Sequence, residues 1–139
     1  MPALDLYHDA VRNALIKDGW TITDDPLMLS YGNEEVYADL GAERAIGAEK
    51  KGRKIVVEIK SFIGKSAIKD LRDAIGQYVM YREILVEAKS ERILYLAVSE
   101  DAFKSTLDTK FGRLFLEREK MKLIIFDPES EVIRKWFQI

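Results

Sequence analysis

The chain of 139 residues contains no cysteine. That excludes a disulfide framework and any thiolate metal site. It contains one histidine, His8, so no multi-histidine zinc site can form within one chain. No apolar run approaches the roughly 18 residues that suggest a membrane span. Neither sign of charge dominates. The formal net charge is -2, which leaves no global footprint for nucleic acid, so any such surface is local. The start, "MPALDLYHDAVRNALIKDGW", lacks the basic segment and unbroken apolar run of a signal peptide. A cytoplasmic location is the expectation. The phosphate loop G-x-x-x-x-G-K-[ST] and the dinucleotide fingerprint G-x-G-x-x-G are both missing, which removes support for nucleotide-cofactor chemistry. The nucleophile elbow of α/β-hydrolases is missing too.

What is present reads as one soluble globular domain over residues 1–139, long enough to bury a core without staples. Residues 4–18 carry Leu4, Tyr7, Val11, Ala14 and Leu15 at helical spacing, with Gly19 as terminator. "WTITDDP" predicts a short strand stopped at Asp25-Pro26. Residues 27–62 predict consecutive antiparallel strands, with "YGN" and "KKGR" as turns. Ser66 to about Lys89 predicts a helix with Ile68, Leu71, Ile75, Tyr78 and Leu85 in one stripe. "ERILYLAVS" and "MKLIIFDP" predict buried strands. "SEDAFKSTL" predicts a helix capped by serine, and a short helix is expected in "GRLFLEREK". The tail "SEVIRKWFQI" fits either a final strand or a docked segment. The fold class is therefore α/β or α+β, a mixed central sheet flanked by helices, with a parallel crossover from Ile55 through Ala97.

The stretch "KKGRKIVVEIKSF" carries the chemistry. Strand alternation puts Glu58 and Lys60 on one face of the most apolar strand. A buried charge demands a partner or a metal. Asp39 precedes them by a spacing that admits one intervening strand and two turns. Two carboxylates suit Mg²⁺ or Mn²⁺, and a lysine beside them can orient water or neutralise a phosphate. The competing reading of Glu58–Lys60 is a salt bridge, which contributes about 0–1 kcal/mol when exposed. Gln77 and Tyr81 share a helix face and can hydrogen-bond a substrate or lysine, or simply pack. Lys65, Lys69 and Arg72, with the "KKGRK" tip, form either a phosphate-contacting surface or a solvated face broken by Asp70 and Asp73. His8 and Asp9 are read as exposed or capping, with a general-base role as the alternative. Glu43 and Glu49 are reserve carboxylates.

Asp39, then Glu58-Ile59-Lys60, then Gln77-Tyr78-Val79-Met80-Tyr81 resemble the PD-(D/E)xK nuclease superfamily. The last element resembles the Q-x-x-x-Y motif of its RecB-like exonuclease branch. Ala38 stands where the superfamily's name has proline. The resemblance implies the restriction-endonuclease-like fold and Mg²⁺-dependent cleavage of nucleic acid. It implies that Asp39 and Glu58 are metal ligands and that Lys60 is catalytic, with Gln77 and Tyr81 in positioning roles. A second resemblance covers almost the whole chain. "YHDAVRNALIKDGWTITDDP", "YADLGAERAIGAEKKGRKIVVEIKSF", "AIGQYVMYREIL" and "LYLAVSEDAF" are similar to the XisH family, the fdxN element excision controlling factors of cyanobacteria. That implies programmed excision of a DNA element during heterocyst development, beside a site-specific recombinase and an XisI-type companion. The expected partners are DNA, that companion, the recombinase indirectly, and a second copy of the chain. A non-catalytic accessory factor on a nuclease scaffold is the alternative.

Overall fold

The computed structural model of the protein describes residues 5–45 and 52–138. Helix α1 (His8–Lys17) leads into strand β1 (Thr21–Asp24), then the hairpin β2 (Leu27–Tyr31) and β3 (Glu34–Ala38). Strands β4 (Leu40–Ala45) and β5 (Gly52–Ile59) follow. Helix α2 (Ala67–Glu87) crosses over to β6 (Ile93–Ser99). A short helix α3 (Glu100–Ala102) runs into a π-helical turn over Phe103–Leu107. Then come α4 (Lys110–Arg118), β7 (Leu123–Asp127) and β8 (Val132–Phe137).

Six strands form one mixed sheet in the order β1-β4-β5-β6-β7-β8. β5, β6 and β7 run parallel, and the flanking pairs are antiparallel. The parallel strands are buried on both faces, which explains their continuous aliphatic composition. The C-terminal tail is resolved as the edge strand β8 paired with β7.

β5 divides the core by alternation. Ile55, Val57 and Ile59 pack with Val11, Leu15 and Trp20 on the α1 side. Val56 packs with Leu71, Tyr78, Tyr81 and Leu85 on the α2 side, where the β2–β3 hairpin contributes Leu29 and Ala38. α2 starts where Ser66 accepts a hydrogen bond from the Lys69 amide, a local N-cap.

One strand, β4, separates Asp39 from β5 along the chain, as the spacing predicts, and it pairs directly with β5. Two expectations need correction. The antiparallel strands of residues 27–62 fall in two sheets, because β2 and β3 pair only with each other. The first helix begins at His8, since Asp5 turns its carboxylate onto the Tyr7 amide at 2.9 Å. Leu4, Glu49 and the first two lysines of the basic tip lie outside the described residues.

Candidate functional site

Asp39 occupies the corner where the chain leaves the β2–β3 hairpin and enters β4. Leu40 is paired with Val57, so the same antiparallel register sets Asp39 opposite Glu58. The Asp39 Oδ2 accepts a hydrogen bond from the Ile59 amide at 2.7 Å. That bond fixes the carboxylate at the end of β5.

Glu58 is only 7% exposed, and its Oε2 has no hydrogen-bond partner. It lies on the α2 side of the sheet, as alternation requires. Burial is the largest cause that pushes its carboxyl up, from 4.5 to about 10; Asp39 and Asp5 push the same way, and Tyr81 opposes them. Glu58 therefore carries a proton at neutral pH and can donate it to Asp39. Tyr81 is buried beside it, and its hydroxyl is pushed up to about 12 by burial first and by the nearby acids second. That hydroxyl also reaches the Tyr37 carbonyl, at 3.2 Å.

Lys60 follows β5, held by its amide to the Ala97 carbonyl at 3.1 Å. Its Nζ stands 3.9 Å from Asp70 Oδ1, at the start of α2. The competing salt bridge of Lys60 with Glu58 is thus not formed. Gln77 is exposed on α2, with no side-chain hydrogen bond among the described residues. Lys65 and Arg72 are exposed, while Lys69 is drawn to Asp73 at 3.0 Å. Glu43 lies exposed on β4.

Two acids join the site that sequence reasoning did not place there. Asp5 accepts from the Ser61 amide at 3.1 Å and raises the Glu58 carboxyl through its charge. Asp70 is buried and accepts from the Gly64 amide at 2.9 Å. Its approach explains Gly64, where a Cβ would lie 2.8 Å from both Asp70 carboxylate oxygens. The only local signal for Asp70 is its place in the first helical turn. Between these contacts Phe62 adopts a φ of 56°, a left-handed conformation that costs energy for an aromatic residue.

His8 corrects its expectation. It is 4% exposed, with Nε2 2.8 Å from Asp25 Oδ1, and Arg12 binds the other oxygen of the same carboxylate. It is a buried partner of Asp25 rather than an exposed or capping group. Asp9 is exposed.

Among the described residues, no group of three or more His, Cys, Asp or Glu side chains is arranged to hold a metal. Mg²⁺ requires only one or two protein carboxylates. Asp39 and Glu58, with an orphaned buried oxygen between α2 and β5, fit that requirement.

The comparisons with known proteins agree among themselves. The XisH protein family model matches residues 1–134. The solved structure of an XisH family protein from Nostoc punctiforme PCC 73102 is similar, with a TM-score of 0.87 at 40% identity, covering 96% of this chain and 99% of that one. A fdxN element excision controlling factor protein from Anabaena variabilis has a TM-score of 0.85 at 38% identity, covering 96% of this chain and 98% of that one. No curated protein matches. Among the described residues, no helix is long and apolar enough to cross a membrane. The chain belongs to the XisH family.

Proposed function

We propose that this chain controls programmed excision of a DNA element as a metal-dependent, nuclease-like protein of the PD-(D/E)xK type. The observation that carries the proposal is the juxtaposition of Asp39 and Glu58 across β4 and β5. Glu58 is buried there beside acids instead of a cation. The similar fdxN element excision controlling factor protein from Anabaena variabilis supplies the setting. Asp39 and Glu58 would hold Mg²⁺ or Mn²⁺, and such an ion supplies Lewis acidity toward water and phosphate. Glu58 must release its proton for this, and Asp39 stays anchored by the Ile59 amide. Lys60 orients the attacking water and neutralises charge on the phosphodiester. Tyr81 and Gln77, one turn apart on α2, position Lys60 or the DNA backbone. Two copies of the chain would serve two strands, and a site-specific recombinase would complete the excision.

The test is cleavage of single-stranded, duplex and branched DNA by wild type and Lys60→Ala, with Mg²⁺ or Mn²⁺. Metal-dependent cleavage by the wild type should fall about 100-fold or more in the folded variant. Equal activity in both removes the catalytic role of Lys60.

A second reading is an accessory factor that binds DNA or an XisI-type companion. The Lys60–Asp70 pairing favours it, because it draws the ammonium toward α2. A pull-down with that companion, using wild type and Glu58→Ala, separates the two. Binding and excision control that both survive the substitution support the accessory role.

A further inference from the structure

α4 is apolar on two sides, and the fold uses only one. Gly112 and Leu116 face inward and are buried. Phe111 and Leu114, three apart, are 54% and 45% exposed. Across from them on α2, Ile68 is 61% exposed, although it was expected in the buried stripe. Ile68, Leu71, Ile75, Phe111 and Phe115 converge on a groove of about 300 Å³ whose only charged lining residue is Arg72. A wider depression continues from Phe111 along α4 past Lys110, Leu114 and Glu117. The two phenyl rings meet edge-on, 5.2 Å apart, and stiffen this wall.

Exposed apolar side chains gathered in one groove mark an interaction surface. A groove between two helices suits a third helix, read through anchors at i, i+3, i+4 and i+7. The charges choose the partner. Lys69 and Arg113 already have acidic partners in Asp73 and Asp108. Arg72 and Lys110 make no ion pair among the described residues and outnumber Glu117, the one unpaired acid of this lining, so net cationic charge at the groove awaits an acid. We infer that the α2–α4 groove docks an amphipathic helix of a partner protein, with an apolar stripe flanked by carboxylates. A second copy of this chain fits poorly, because its own groove carries the same net cationic charge. Nucleic acid fits poorly too, because a phosphodiester chain leaves Ile68 and Phe111 uncovered. The inference is independent of the chemistry at Asp39 and Glu58.

The test uses a fluorescein-labelled designed helix of about 18 residues, with leucines at the four anchor spacings and glutamates beside them. A twin carries lysines for the glutamates. Anisotropy should show saturable binding of the acidic helix and weak binding of its twin. Phe111→Glu and Ile68→Ser should each weaken the acidic helix about tenfold or more, with the melting temperature little changed because both sites are exposed. Arg72→Glu should shift preference toward the basic twin. Four results would overturn the inference. These are no saturable binding, equal binding of both helices, a wild-type dimer that Phe111→Glu converts to monomer, or loss of duplex DNA binding in Phe111→Glu.

Discussion

Two clusters of acid in this fold are built in opposite ways. At one, Asp25 receives both His8 and Arg12, so each carboxylate oxygen meets a nitrogen. At the other, Glu58 is buried among Asp39 and Asp5, and one of its oxygens meets nothing. The first cluster joins α1 to the end of β1, and folding explains it. The second sits at the buried end of β5, where a leucine would pack without such a penalty. Destabilising polar groups persist where function needs them. The contrast between a satisfied acid and a frustrated one separates the structural cluster from the candidate site.

Glu58→Gln should sharpen the contrast most. The Glu58 carboxyl rises from 4.5 in the unfolded chain to about 10 in the fold. Between those values the folded state holds a proton that the unfolded state has lost, so wild-type stability falls as pH rises. Glutamine removes that slope. At pH 7 the variant should be more stable by about 3 kcal/mol, with the gain fading as pH approaches that of the free carboxyl. Chemical denaturation of both proteins across pH checks this.

Asp25→Ala should act in the reverse sense. It leaves His8 buried with neither ring nitrogen paired, and should cost about 2 kcal/mol in the same assay. Arg12→Ala should be the mildest, at under about 1 kcal/mol, since its side chain is 38% exposed and His8 keeps its partner. If Asp25→Ala and Glu58→Gln shifted stability in the same direction, the distinction between the two clusters would fail.

The unit β5–α2–β6 was legible in the sequence, because its signals are local. A β-branched run, the Ser66 cap and a second aliphatic run each act within a few residues. The shared face of Glu58 and Lys60 followed from alternation, and the ion pair of Lys60 with α2 agrees with it. The change of sheet after β3 was missed because strand pairing is a long-range choice. Nothing near Ala38 says that the chain changes sheets there. Asp5 and Asp70 were hidden for a related reason. Asp5 reaches Ser61 across 56 positions, and the site contact of Asp70 depends on the turn around Phe62. His8 was misplaced because a polar residue at a helix start reads as a cap until Asp25 arrives from the other end of β1.

On the function proposed above, Asp39 and Glu58 form a cation site held closed by a proton. Titration of Mn²⁺ into wild type and Glu58→Gln, followed by electron paramagnetic resonance at several pH values, tests it most directly. One site is expected in the wild type, tightening as pH rises because Glu58 must lose its proton, and no such site in the folded variant. The same Mn²⁺ affinity in both proteins, with no dependence on pH, would contradict it.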